Sequence, residues 1–202
     1  FRRHGIDGLT WKGRVTDVAL DTLYRIFQAE KYSLYAAHTR YATKGRKENV
    51  LADAHPHVIG GTEERVNNHV IIRGAKASIV HNGQCDYENI LQRIDGSLLR
   101  TDCDSEALLH LYKSKGEEYI MKEIPGSYSA VIFDAERDQA IVLRDRHGIK
   151  PAWLGEKDGK PLVASETYAL EKNGAKIRRP VLPCEILYIW LNGKLDRIQA
   201  VQ

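Results

Sequence analysis

The chain has 202 residues, of which 43% are hydrophobic, a size and composition that predict one domain with a single well-buried core. Its net charge of +3 comes from 30 basic and 27 acidic residues that are interspersed along the chain, which argues against a nucleic-acid surface or a polybasic membrane patch. No apolar run approaches the roughly 18 to 20 residues needed to cross a bilayer. We therefore expect residues 1–202 to form one cytoplasmic domain with neither nucleic acid nor membrane as a partner.

The cysteine content supports the same compartment. Cys85, Cys103 and Cys184 are an odd number and include no CxxC pair, which argues against a disulfide framework and against a thiolate metal site. Reduced thiols in the cytoplasm are the interpretation that follows.

Taken in chain order, the first predicted element is an amphipathic helix that starts near Thr16, because apolar residues recur there at helical spacing. Residues 33–40 predict a strand, and residues 60–68 predict a loop. Residues 77–81 predict a buried strand that ends at the turn-forming pair Asn82 and Gly83.

The second half of the chain predicts three helices: residues 87–94, a helix that starts near Asp104 and turns its apolar residues inward, and a short helix after Glu166. Its predicted strands are residues 127–134, 139–144, 162–165 and, as the last element, 186–191. Strands clustered around a few helices indicate an α+β layered domain.

Five polar residues offer hydrogen-bonding groups that match those of an amino acid with a side-chain amide. Arg40 presents a planar fork of donors that matches an α-carboxylate, and the Thr43 hydroxyl can add another donor. The Asn82 side-chain amide and the unshielded Gly83 N–H can stabilise an oxyanion at the side-chain amide carbon. Asp104 can accept hydrogen bonds from an α-ammonium group.

Each of these residues also has an ordinary structural explanation. A strand-end Arg is most often a surface ion-pair partner, Asn-Gly is a common turn, and an Asp before a helix is commonly an N-cap. His55 and His57 invite a metal interpretation, but zinc sites need three or four ligands and the other histidines are scattered. Cys85 and Cys103 lie beside the candidate segments, either as nucleophiles or as inert buried thiols.

Taken together and in order, these segments resemble the glutamine amidotransferases of the N-terminal-nucleophile class, known as type 2, and above all the glutaminase domains of amidophosphoribosyltransferase and glucosamine-6-phosphate synthase. The resemblance rests on segments spread over nearly the whole chain: residues 38–45, 53–57, 81–83, 104–111, 125–129, 144–151 and 164–166.

The resemblance implies a four-layer αββα sandwich of two antiparallel sheets, and hydrolysis of glutamine to glutamate and ammonia for a synthase domain or subunit. It implies no cofactor and no metal. By the family pattern Arg40 and Thr43 hold the α-carboxylate, Asp104 holds the α-ammonium, and Asn82 with Gly83 forms the oxyanion hole.

The family nucleophile is a cysteine at the very N-terminus whose own amino group is the base. The family places this cysteine and its strand well upstream of the arginine segment, so the segment that carries them is expected before Phe1. The alternative is an inactive module of the same fold that binds glutamine or another amino acid as a sensor or regulatory subunit. Cys85 and Cys103 both depart from the residues usual at their positions in the family.

Overall fold

The computed structural model describes residues 5–27, 32–39 and 51–199. Its strands are β1 (Ile6–Trp11), β2 (His57–Ile59), β3 (Thr62–Val66), β4 (His69–Ala75), β5 (Ala77–Cys85), β6 (Gly126–Asp134), β7 (Gln139–Arg144), β8 (Trp153–Lys157), β9 (Lys160–Ala164), β10 (Lys176–Pro180), β11 (Glu185–Trp190) and β12 (Leu195–Gln199). Its α-helices are α1 (Leu20–Phe27), α2 (Tyr87–Leu91), α3 (Asp104–Lys115), α4 (Glu117–Glu123) and α5 (Thr167–Lys172).

The described strands form three antiparallel sheets. One has six strands in the order β12-β11-β7-β6-β5-β2, and the other two have three strands each, in the orders β1-β4-β3 and β10-β8-β9. The six-stranded sheet alternates apolar residues between its two faces, as expected of a sheet that is covered on both sides. In β7, for example, Ile141 and Leu143 face one core while Ala140 and Val142 face the other.

Helices and sheets stack in layers. Helices α2, α3 and α4 cover one face of the six-stranded sheet, and strands from both smaller sheets cover its other face. Leu154 of β8 packs towards the six-stranded sheet. Gly155, the next residue of β8, faces the opposite side, where its lack of a side chain leaves space for the buried Leu170 of α5. This confirms the α+β class and the expected helix–sheet–sheet–helix order, with two three-stranded sheets in place of a single second sheet.

Several predicted elements differ from those observed. The helix expected from Thr16 is a 3-10 turn at Val15–Asp17 followed by α1, because buried Val18 is extended and separates the two. Residues 32–39 contain no strand, although their sequence pattern predicts one from residue 33. The predicted loop at 60–68 contains β3, whose pairing with β4 comes from backbone hydrogen bonds and leaves every β3 side chain exposed.

The strand predicted to end at Asn82 continues to Cys85, because β6 pairs with it along its whole length. The predicted last strand is β11, and β12 follows it as an additional edge strand. Residues 44–49, whose polar sequence predicts an exposed turn, lie outside the described residues. Among the described residues, no helix has the length and apolar character that crossing a membrane requires.

Candidate active site

Hydrogen bonds join three segments of the sequence near the end of β5. His38 donates its Nε2–H to the carbonyl oxygen of His81 over 3.0 Å. The Nδ1 atom of His81 lies 2.8 Å from the Oγ atom of Ser105. The Asp104 carboxylate accepts a 2.8 Å hydrogen bond from the backbone N–H of Cys85. The fold therefore brings the segments at 38, 81–83 and 104–106 to one place.

Gly83 lies between two backbone groups that point away from β6. The His81 carbonyl is directed to His38, and the Cys85 N–H is directed to Asp104. Because alternate residues of a strand present their peptide groups to the same edge, Gly83 shares this edge with its two neighbours. Among the described strands, β2 pairs with this edge only at residues 77–79, and Gly83 itself is an exposed residue.

The backbone at Gly83 requires glycine. Its φ is +138°, and a Cβ atom there would lie 2.1 Å from the Ser127 carbonyl oxygen and 2.7 Å from the Tyr128 Cα. Both atoms belong to β6, so the two strands are in close contact at this point. The preceding residue, Asn82, is half-buried and lies on the opposite face of β5 from His81.

His81 is neutral at physiological pH. Burial lowers its pKa to about 4; the nearby Asp104 carboxylate opposes this shift, while His38 and Lys150 add to it. The ring is also in edge contact with Tyr128, with the centroids 6.0 Å apart. A neutral imidazole at this position acts as a hydrogen-bonding partner rather than as a fixed charge.

The two thiols beside the site are protonated. Burial raises the pKa of Cys85 well above its usual value, and the carboxylates of Asp104, Asp145 and Asp86 raise it further. Burial also raises the pKa of Cys103. Because the thiolate is the nucleophilic form, neither side chain fits the role of the nucleophile, and the structure favours the alternative of unactivated thiols.

Glu106 is a residue whose importance the sequence did not reveal. Its carboxylate is fully buried and accepts hydrogen bonds from the backbone and side chain of both Arg100 and Thr101. Burial opposes ionisation of Glu106, but these hydrogen bonds outweigh it and lower the pKa of the carboxyl group. The arrangement fixes the turn that leads into α3 and so positions Asp104 at the first residue of that helix.

Asp145 organises the loop on the far side of β6. Its buried carboxylate accepts hydrogen bonds from the backbone N–H groups of Tyr128 and of three loop residues, His147, Ile149 and Lys150. Tyr128 lies opposite Gly83 in the β5–β6 pairing, so this loop is connected through one strand to the candidate oxyanion segment. The sequence indicated the loop only by resemblance, because these contacts are made by backbone groups.

The other residues singled out from the sequence are two candidate carboxylate ligands and the two histidines of the 55–57 segment. Arg40 and Thr43 lie outside the described residues. The His55 ring packs against His38 with centroids 4.1 Å apart, and its Nε2 lies 3.1 Å from Ser105 Oγ. His57 is almost fully buried in β2 and contacts the His55 ring edge-on. The two histidines of the 55–57 segment therefore pack beside the site.

Comparison with known proteins identifies the family. Residues 58–183 match the family described as a glutamine amidotransferase domain. The chain belongs to this family. An amidophosphoribosyltransferase from Rhizobium etli is 32% identical to this glutamine amidotransferase domain over 165 residues, which are 77% of the chain and 30% of the relative. A glutamine-hydrolysing asparagine synthetase from Bacillus subtilis is 28% identical over 117 residues, which are 57% of the chain and 16% of the relative.

Solved structures agree with this assignment. The glutamine phosphoribosylpyrophosphate amidotransferase from B. subtilis superimposes with a TM-score of 0.63 and 26% identity, over 82% of this chain and 34% of that one. The likeness confirms the expected fold of the N-terminal-nucleophile hydrolases. The amidotransferase domain described here spans about a third or less of the length of the curated amidophosphoribosyltransferases that it matches.

Proposed function

We propose that this glutamine amidotransferase domain hydrolyses the side-chain amide of glutamine and delivers the ammonia to a synthase domain or subunit. The observation that carries the proposal is the hydrogen bond from Cys85 to Asp104, which holds an acidic side chain beside the peptide edge that contains Gly83. Glutamine hydrolysis needs an acidic side chain to bind the ammonium group and a backbone N–H to stabilise the oxyanion, and the two must lie close together.

The proposed roles follow from the chemistry of each group. Asp104 accepts hydrogen bonds from the α-ammonium, and its placement at the start of α3 fixes its direction. Asn82 and Gly83 stabilise the oxyanion, and Gly83 is an exposed residue of β5. Arg40 and Thr43 hold the α-carboxylate; this part of the proposal rests on the sequence resemblance.

The proposed nucleophile is a cysteine upstream of Phe1, with its own α-amino group as the base. Its sulfur attacks the amide carbon, the oxyanion forms and collapses, ammonia leaves, and water hydrolyses the resulting thioester to glutamate. The raised pKa values of Cys85 and Cys103 support this choice, since neither thiol is activated. A relative whose name specifies glutamine hydrolysis favours turnover over a module that only binds.

The proposal also includes the setting of the domain. We expect residues 1–202 to be one domain in the cytoplasm, and the free state of Cys85, Cys103 and Cys184 supports this compartment. The synthase that accepts the ammonia is either fused to the domain or a separate subunit.

The test is a glutaminase assay on the intact gene product, after N-terminal sequencing of the same sample. We expect a terminal cysteine and release of ammonia from glutamine. Asp104→Asn should weaken glutamine binding by about 10- to 100-fold, because a charge-assisted hydrogen bond contributes about 1.5–3 kcal/mol. The matched control is Asp102→Asn, since Asp102 is exposed two residues earlier in the same segment.

Two results would contradict the proposal. Equal glutamine affinity in the Asp104 and Asp102 variants would remove Asp104 from the substrate site. A protein that has a terminal cysteine, binds glutamine and releases no ammonia in the presence of its synthase would be the inactive module instead.

A further inference from the structure

Three ligand-type side chains converge beneath the candidate glutamine site. One nitrogen of His81, the Sγ atom of Cys85 and a carboxylate oxygen of Asp104 all lie within 4.8 Å of one another. The Sγ atom is 3.9 Å from the His81 Nε2. The sequence predicted no metal site, because its three cysteines include no CxxC pair and its histidines are scattered.

The fold explains why these residues meet. Residues two apart in a strand share a face, so His81 and Cys85 both point from β5 towards the helix layer, as Ala77 and Ile79 do. Asp104 begins the helix that packs on this face, and its carboxylate is held by the Cys85 N–H. Two elements that are fixed against each other thus supply all three groups.

We propose that His81, Cys85 and Asp104 form a binding site for a zinc-class divalent transition metal. A tetrahedral zinc ion with bonds of about 2.0–2.3 Å places its ligand atoms about 3.3–3.6 Å apart. The His81–Cys85 pair is within a few tenths of an ångström of that separation. Three protein ligands leave the fourth coordination position to water.

The donor set suits this class of metal. Thiolate and imidazole ligands select zinc-like ions over magnesium and calcium, which prefer oxygen. Ser105 Oγ is hydrogen-bonded to the Nδ1 of His81, and the Nε2 faces Cys85. Metal-bound imidazoles commonly have their second nitrogen held in this way. On binding, the Cys85 S–H bond breaks, its proton passes to solvent, and the sulfur forms a bond to the metal.

The site has a consequence for the proposed reaction, and this part rests on the proposed function. Asp104 is both the third metal ligand and the proposed acceptor for the α-ammonium of glutamine. A carboxylate engaged by the metal cannot hold the ammonium in the same geometry, so metal and glutamine compete. The metal is therefore an inhibitor of substrate binding rather than a catalytic group.

Cobalt(II) is the probe for the site, because thiolate coordination gives a sulfur-to-cobalt charge-transfer band. We expect the intact gene product to develop this band with one cobalt bound. The double variant Cys103→Ser/Cys184→Ser should retain it, since Cys85 is then the only cysteine among residues 1–202. Cys85→Ser should lose the band and bind zinc at least about 100-fold more weakly, by the scale of losses at metal sites.

Absence of the band in the unmodified chain, or its loss in the double variant, would overturn the metal site whether or not Cys85→Ser folds. Calorimetry with glutamine on the intact gene product, which includes the segment expected before Phe1, then separates the two proposals. If glutamine binds in the presence of a chelator but not in excess zinc, competition is supported. If its affinity is the same under both conditions, competition is overturned. If the cobalt band forms and glutamine binds under neither condition, the metal site stands and the proposed function fails.

Discussion

Gly83 lies where the backbones of β5 and β6 are in direct contact. A side chain at this position would collide with the Ser127 carbonyl oxygen, and the φ of +138° is itself unfavourable for any residue with a Cβ atom. Movement of either strand to relieve the collision would displace Cys85 from Asp104. The same glycine thus sets the strand spacing and the position of the candidate oxyanion donor.

A series of three glycine-to-alanine variants separates these effects. Gly83→Ala adds both collision and strain, and should lower the free energy of unfolding by at least about 2 kcal/mol. Gly159→Ala adds a positive φ without any neighbour within 4 Å, and should cost about 1 kcal/mol. Gly96→Ala adds neither, and should change stability by less than about 0.5 kcal/mol. Denaturant unfolding measures all three, and equal losses at Gly83 and Gly159 would show that the collision has no cost.

At this scale the sequence pointed to some residues of the candidate site and gave no sign of others. Asn82, Gly83 and Asp104 could be predicted as candidates because they stand in short motifs whose order along the chain resembles a family; their roles stay predictions. Glu106 and Asp145 could not be assigned roles, because each works by accepting backbone N–H groups, which leave no residue-type signature. Cys85 could be noticed as unusual, but its meeting with His81 depends on which face of β5 it occupies.

Helix α4 is attached to the sheet by a buried charge. Glu117, its first residue, is nearly fully buried and receives two hydrogen bonds of 2.8 and 2.9 Å from the Arg137 guanidinium. The Tyr188 hydroxyl of β11 donates a third, at 2.7 Å. The next residue, Glu118, is exposed. One carboxylate therefore joins a helix, the β6–β7 turn and a central strand.

Glu117→Gln should be far more destabilising than Glu118→Gln. The amide cannot accept both guanidinium hydrogen bonds and the tyrosine hydrogen bond, so one buried donor loses its charged partner. The expected loss is about 1–3 kcal/mol at Glu117, against less than about 0.5 kcal/mol at the exposed position. Thermal unfolding of the two variants at neutral pH makes the comparison, and similar melting temperatures would show that the Glu117 charge adds nothing.

Elements with strong apolar patterns were predictable and polar or short ones were not. Strands β6 and β7 lie within one residue of their predicted bounds, because apolar residues run through both of them. The sequence of strand β3 predicts a loop, because none of its side chains is buried and its pairing is made by the backbone. Residues 32–39 show the reverse case, in which a strand-like pattern forms no strand.

The whole molecule is built around the six-stranded sheet, whose two faces contact separate apolar cores. Charged residues are concentrated where the helix layer meets the β6–β7 turn. The buried Asp134 carboxylate accepts hydrogen bonds from the Tyr112 hydroxyl over 2.7 Å and from the Lys113 ammonium over 3.2 Å. It also accepts one from a backbone N–H of the following turn. With Glu117 and Arg137 beside it, this cluster makes the stability of the fold depend on ionised carboxylates.

The free energy of unfolding should therefore fall in acid. Burial opposes ionisation of both Asp134 and Glu117, but hydrogen bonds outweigh it. Those from Tyr112 and Lys113 lower the pKa of Asp134. Those from Arg137 and Tyr188 lower the pKa of Glu117. A lowered pKa in the folded state means that the unfolded chain binds more protons as the pH falls. The stabilisation is full above the unfolded pKa of about 4 and is lost as the pH falls through the lower folded values.

Urea unfolding at pH 7, 5, 4 and 3 tests this dependence. The unmodified chain should lose stability mainly below about pH 4, in proportion to the carboxyl groups that gain protons there. Asp134→Asn should be less stable at pH 7 and should lose less on acidification, because it has one fewer group to protonate. If the curves of the variant and the unmodified chain run parallel from pH 5 to pH 3, Asp134 does not contribute to the acid sensitivity. The exposed neighbour Glu136 provides the matched control, since Glu136→Gln leaves the buried carboxylates in place.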